Sequence, residues 1–402
     1  MIRDVGIGVK DQLIQPADRH CARQAGVLDW YCCPVALPPE RAFLCKVMRT
    51  LSWNPDGPSL DVIDQRRLPA EFEVLRLRSA AEVAGAITDM SVRGAPAIGI
   101  AAAFGIALAA CASTAANPSA LRQELAAAAE ALRGSRPTAV NLAWAVERQL
   151  QLAARSQGEV ALIADELVRM AQRMADEDVD TNRRIGQHGA GLLHDGDTVL
   201  HHCNTGALAT VDYGTALGVV RCAHEQGKRI HVLVDETRPR LQGARLTAWE
   251  LEQLGIPYEI ITDGAAGFYL QRGEVAAALV GADRVAANGD VANKIGTYML
   301  ALAASDNDVP FYCALPLSTV DPALAHGGLI PIEERDPQEV LGLERDGRPV
   351  APLGSRARNP AFDLTPARLI SAFITEAGII RPPYVQTLAT ALEEASSRWA
   401  SS

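Results

Sequence analysis

From residue 197 onward, short apolar runs alternate with stretches of helical spacing, and few folds accept that rhythm. The runs fall at 197–203, 229–235, 258–262, 276–280 and 309–314, each short and most of them nearly continuous in hydrophobicity. Strands of that kind, joined by helical crossovers, build a parallel sheet covered on both faces. Residues 196–402 therefore read as a Rossmann-like α/β domain. In such a sheet a ligand sits at the carboxyl ends of the strands. Those ends hold Cys203, then Asp235, Glu236 and Arg238, then Asp263, then Asp283 and Arg284. One rim thus gathers a thiol, several carboxylates and two arginines.

Upstream the pattern differs. Residues 59–64 and 72–77 are strand-like, and helical spacing follows at 79–89, 97–110, 117–133, 140–153 and 158–194. Residues 48–195 read as a mostly helical domain opened by a small β-sheet. Residues 1–47 have no clear period, carry four of the eight cysteines, and lack the compact apolar stretch of a signal peptide. They are expected to be an extension, disordered or not translated, with Met48 the true start.

The formal net charge of −10 argues against a nucleic-acid surface. The longest apolar candidate for a membrane span, 95–113, is mostly alanine and glycine and lacks the bulk for one. No Cys-x-x-Cys pair announces a zinc ribbon or a disulfide framework. The expectation is a cytoplasmic enzyme acting on a small molecule, with no nucleic-acid or membrane partner.

The densest stretch is HHCNTGALATVDYGTA at 201–216, where an apolar run ends in Cys203 and a polar turn follows. A helix is expected over 207–226, which would put the thiol near its positive end, where a thiolate or an anionic ligand is favoured. A single cysteine at a strand end is, however, more often a packing residue. The loop VRGAPAIG at 92–99 suits a phosphate, with Gly94 admitting close approach, Arg93 donating and Pro96 opening a helix. It suits a close-packed helix start equally well. No Gly-x-Gly-x-x-Gly follows the 197–203 strand, so a nicotinamide cofactor is not expected. His201, His202 and Cys203 alternate across a strand and cannot share one metal without distortion, so two satisfied histidines are the better reading. Asp283, taken alone, reads as a surface turn residue.

Together the motifs VRGAPAIG (92–99), HCNTGALA (202–209), VDETRPRLQGARLT (234–247), GADRV (281–285) and NKIGT (293–297) closely resemble the methylthioribose-1-phosphate isomerase family. IEER (332–335), NPAFD (359–363) and residues 374–379 extend the likeness, which runs from about 49 to about 384. The resemblance implies an aldose–ketose isomerase that converts 5-methylthioribose 1-phosphate to 5-methylthioribulose 1-phosphate in methionine salvage. It also implies a homodimer with no cofactor and no metal. Position by position, Cys203 matches the family's active-site cysteine and Asp283 its catalytic aspartate. Arg93, Gly94 and Ala95 match the substrate-binding loop, Arg136 in RPTAVN a second binding arginine, and Gln242, Asn293 and Lys294 further substrate contacts. On this reading Asp283 protonates the ring oxygen, and Cys203 acts as base or stabilises a hydride shift, with both routes open. Isomerases of 5-deoxyribose 1-phosphate or ribose 1,5-bisphosphate are the nearest alternatives. Regulatory subunits of the translation-initiation nucleotide exchange factor share the fold without this reaction. The joint presence of Cys203, Asp283 and the Arg93 loop favours catalysis.

Overall fold

The computed structural model describes residues 49–400 apart from Pro55 and Thr138, with side chains as far as residue 395. The extension expected at 1–47 lies outside these residues. Strands β1 (Leu51–Asn54), β2 (Ser59–Ile63) and β3 (Val74–Leu77) pair antiparallel in a small sheet, one strand more than the pattern predicts. Five helices follow: α1 (Ala80–Thr88), α2 (Ala95–Cys111), α3 (Pro118–Ser135), α4 (Val140–Arg155) and α5 (Val160–Ala190). Ser79 caps α1 and Asn117 caps α3, each accepting a hydrogen bond from an amide in the first turn. Helix α2 is buried on nearly every side, and its alanines and glycines let its neighbours approach closely. It packs against α4 and α5, and Trp53 stacks on Phe104 at 5.5 Å between ring centres. The long α5 continues past this helical layer and lies against the sheet of the second half.

That half begins with β4 (Thr198–His201), α6 (Ala216–Glu225), β5 (His231–Asp235), α7 (Ala248–Leu254), β6 (Tyr258–Ile261), α8 (Ala266–Gln271) and β7 (Ala277–Val280). It continues with β8 (Arg284–Ala286), β9 (Val291–Lys294), α9 (Thr297–Asp306), β10 (Phe311–Ala314), β11 (Val320–Asp321) and a short α10 (Gln338–Leu341). A hairpin of β12 (Glu344–Arg345) and β13 (Arg348–Pro349) precedes β14 (Phe362–Thr365), β15 (Ala372–Thr375), β16 (Gly378–Ile380) and α11 (Tyr384–Ala400). The main sheet has seven strands in the order β16-β15-β10-β7-β4-β5-β6, all parallel except for β16 at the edge. The chain thus winds from β4 toward β6 on one side and from β7 toward β15 on the other. The direction reverses between β4 and β7, and the crevice at such a reversal is where a sheet of this kind takes its ligand.

A second sheet, β11-β8-β9-β14, follows from the loop after β7 and was not expected. It presents Asn293 and Lys294 on β9 opposite Asp363 and Phe362 on β14. The structure also corrects the helix expected over 207–226: residues 207–209 form one 3-10 turn, and α6 starts only at Ala216. The cause is local. The Glu250 carboxylate accepts the amides of Ala207 at 2.6 Å and Leu208 at 3.3 Å, and a bridge between Gly206 and Gly214 folds the loop back on itself. The helix that follows Cys203 therefore does not start beside it. Among the described residues, no helix is long and apolar enough to cross a membrane.

Candidate active site

Cys203 leaves β4 with φ +67°, in the left-handed region that costs a non-glycine residue energy unless its surroundings hold it there. They do. Its amide donates to Thr237 Oγ1 at 2.9 Å, and its carbonyl accepts from Thr247 Oγ1 at 2.7 Å. Next to it, Asn204 is fixed from both sides. Its Nδ2 donates to Glu250 Oε1 at 2.7 Å, while its Oδ1 and backbone oxygen accept from the Arg93 guanidinium at 2.5 and 2.8 Å. Glu250 thus serves as a buried anchor for the whole Asn204–Leu208 turn, and nothing in its sequence context marks it for that role.

All nine residues singled out from the sequence line one cavity of about 760 Å³, its open mouth included: Arg93, Gly94, Ala95, Arg136, Cys203, Gln242, Asp283, Asn293 and Lys294. The cavity lies over the β4–β7 crevice. Cys203 comes from β4 and Asp283 from the loop after β7, while Arg93 and Arg136 reach it from the helical layer. Gly94 caps α2 with φ +96°, and a Cβ there would stand 2.3 Å from the Ala209 carbonyl oxygen, so only glycine fits. Arg238 and Arg284, expected on the same rim, are not part of this lining, nor are Asp235, Glu236 and Asp263.

The charges are mutually dependent. Burial raises the Cys203 thiol above its usual range, opposed by the nearby charges of Arg93 and Lys294. Burial likewise raises the Asp283 carboxyl, opposed by Lys294, Arg136 and Arg93. Lys294 and Arg136 are both lowered by burial. Lys294 Nζ donates to the Ala361 carbonyl at 2.9 Å and lies 4.9 Å from the centre of the Phe362 ring. Arg136 stands 3.5 Å from Glu333, and its buried Nε has no hydrogen-bond partner among the described residues, as is true of Gln242 Oε1. Buried polar atoms left without partners at a cavity are where a polar ligand is held.

The lining also contains residues that sequence reasoning missed: Met90, Leu315, Pro316, Arg335 and Phe362. Arg335 and Phe362 sit inside motifs already noted, but no spacing rule assigns them a place in the cavity. The histidine pair resolves as two satisfied side chains. His201 Nδ1 meets the Leu279 carbonyl at 2.8 Å and its Nε2 meets Thr205 Oγ1 at 3.3 Å. His202, Asp235 and Asp263 cluster closely enough to raise the question of a metal. Most of their ligand atoms are engaged in hydrogen bonds: His202 Nδ1 with Asp235 Oδ2 at 2.8 Å, and Asp263 with the amides of Thr237 and Arg238, both at 2.7 Å.

Comparison with known proteins follows the same lines. The profile of the Initiation factor 2 subunit family matches residues 91–382. The methylthioribose-1-phosphate isomerase of a Synechococcus strain is 55% identical over 340 residues, spanning 85% of this chain and 97% of that protein. Its counterpart in Chloroflexus aurantiacus is 54% identical over 342 residues, with the same shares. Among solved structures, 5-methylthioribose 1-phosphate isomerase from Pyrococcus horikoshii OT3 superposes with a TM-score of 0.80 at 44% identity, covering 90% of this chain and 100% of the other. The structure of translation initiation factor eIF-2B subunit delta from A. fulgidus gives 0.76 at 45% identity, covering 86% and 100%.

Proposed function

We propose that this chain, which belongs to the methylthioribose-1-phosphate isomerases within the Initiation factor 2 subunit family, works through Cys203 and Asp283. Its reaction is the isomerisation of 5-methylthioribose 1-phosphate to 5-methylthioribulose 1-phosphate, a step of methionine salvage. A sugar locked as its 1-phosphate has no free aldehyde, so the ring must open first. Asp283, its carboxyl raised by burial, stays protonated to higher pH than an ordinary aspartate and delivers a proton to the ring oxygen. The C2 hydrogen then moves to C1 with no net gain or loss of electrons. It leaves C2 either as a proton taken by Cys203, through a phosphoenolate, or as a hydride passed directly while Cys203 stabilises the transition state. Arg93, Arg136 and Lys294 balance the phosphate charge, and Gln242 and Asn293 orient sugar hydroxyls.

The observation that carries this reading is the meeting of Cys203 and Asp283 with those cations in the lining of one cavity at the reversal of the sheet. The choice of sugar rests on the apolar part of the lining, where Met90, Leu315, Pro316 and Phe362 offer a place for a methylthio group. Arg335, the cation on that side, is engaged by Glu339 at 2.9 and 3.2 Å and stands 3.4 Å from the Met90 sulfur, which disfavours a second phosphate there. The reading places the protein in the cytoplasm as a homodimer. The four described cysteines are free, as a reducing compartment requires, and Phe268 and Met299 stand exposed on two helices packed together. Sedimentation velocity measures the oligomeric state.

The deciding experiment is turnover of methylthioribose 1-phosphate, 5-deoxyribose 1-phosphate and ribose 1,5-bisphosphate by the purified protein and by Cys203→Ser and Asp283→Asn. The first substrate is expected to give the highest kcat/KM. Both variants are expected to fold normally by circular dichroism and to lose about 10²–10⁴ in kcat. Absence of turnover on all three by folded wild-type protein would return the chain to the regulatory reading.

A further inference from the structure

His202 faces away from the cavity, wedged between three elements that supply the site. Its Nδ1 lies 2.8 Å from Asp235 Oδ2 at the end of β5, and its Nε2 lies 2.8 Å from the Ile295 carbonyl in the turn between β9 and α9. A carbonyl oxygen can only accept, and an ionised carboxylate can only accept. A neutral imidazole has one N–H and would leave one of these two short contacts facing lone pair to lone pair. A neutral ring meets both contacts only where Asp235, which burial raises, itself carries the proton and donates it to Nδ1; against an ionised Asp235 both nitrogens carry hydrogen. The other oxygen of Asp235 has no hydrogen-bond partner among the described residues, so that carboxylate is committed to His202. The neighbour His201 shows the contrast. Its second nitrogen meets a hydroxyl, which can donate, and burial lowers it to about 4, so it stays neutral.

We infer that His202 is a positioning residue held as an imidazolium, its two N–H groups tying β5 to the Ile295 turn and so fixing Cys203 and Lys294 relative to each other. The linkage is continuous. Cys203 follows His202 directly, and its amide is held by Thr237, two residues beyond Asp235. Lys294 precedes Ile295 directly. The fit is close: Gly296 has φ +104°, and a Cβ there would lie 2.8 Å from His202 Cε1. The charged groups around the ring are Asp235 on β5, Asp263 after β6 and Asp363 on β14, with neutral His201 beside it on β4. Asp363 accepts the amides of Gly296 and Tyr298 and so holds the same turn from its other side. Burial alone would discharge His202; the Asp235 carboxylate outweighs it and raises the group.

The inference rests on the roles given above to Cys203 and Lys294, but its first test does not depend on turnover. In the full-length wild-type protein labelled with ¹⁵N-histidine, His202 is expected to show two protonated ring nitrogens by NMR at pH 7.5 and to keep both above pH 8. The resonance is assigned by its loss in His202→Gln, or by its shift in Asp235→Asn should the first variant not fold. One bare nitrogen at pH 7.5 would overturn the inference while leaving the isomerase reading intact. The second test is the pH profile of Asp235→Asn, which keeps an acceptor but removes the charge. Its His202 ring is expected to show one bare nitrogen at every pH from 8 to 6, since burial without the carboxylate discharges it, and its kcat to lie about 10–100-fold below wild type across that range. Wild-type kcat in Asp235→Asn with that ring nitrogen bare overturns the positioning role.

Discussion

His201 and His202 are neighbours in the chain with opposite electrical states, and what separates them is whether the second partner is able to donate. Asp178 on α5 makes a comparable point about a carboxyl. It accepts the Val211 amide at 2.8 Å, yet burial raises it to about 7. Because its folded value lies above the unfolded one, the contribution of this group to stability is fully present below the unfolded value of 3.8 and is lost as pH rises through about 7. Asp178→Asn retains an acceptor for Val211 without the charge. It is expected to be more stable than wild type at pH 8 by roughly 1 kcal/mol, with the advantage gone at pH 4. Urea denaturation at the two pH values measures the difference, and equal midpoints at pH 8 would show that the carboxyl is not raised.

At the level of elements, the turn after β4 depends on a carboxylate donated by α7. Glu250 satisfies two backbone amides and the Asn204 side chain that faces Arg93. Glu250→Gln preserves the shape but turns an NH₂ group toward one of those donors, so one buried donor loses its partner. A loss of about 1–3 kcal/mol in stability is expected, together with a fall in kcat as Asn204 and Arg93 shift. Denaturation and steady-state kinetics on the one variant test both, and wild-type kcat would detach Glu250 from the site. Glu250 also shows where sequence reading stops. The five strands from 197 to 314 were legible because each is a short apolar run flanked by turn or helical signals, and the strand ends located Cys203 and Asp283. The second sheet was not, because β8, β9 and β14 are three or four residues long and β14 pairs with β9 from about 70 residues away. The helix expected from residue 207 failed for the same kind of reason: a distant side chain captured its first amides. The motifs identified by resemblance named residues of this second sheet without revealing that they formed one.

For the whole molecule, the cavity joins two layers that the sequence reads as separate, with Arg93 and Arg136 from the helices and Cys203, Asp283 and Lys294 from the strands. A ligand bound there stabilises both layers together. Substrate analogue at 100 times its Kd adds about 2.7 kcal/mol, so calorimetry is expected to show the whole transition move up by a few degrees, and to show less in Arg93→Ala. Two transitions of which only one moves would contradict that coupling. The placement of the reactive pair at two adjacent strand ends has a consequence for descent. On the proposed reading turnover hangs on a pair of side chains, whereas the sheet and helices around them persist through their own packing. A lineage that replaces the pair surrenders the reaction and still inherits the whole scaffold, free to be recruited for recognition alone. Within such a family, ancestry is written in the architecture and occupation in a few exchangeable residues.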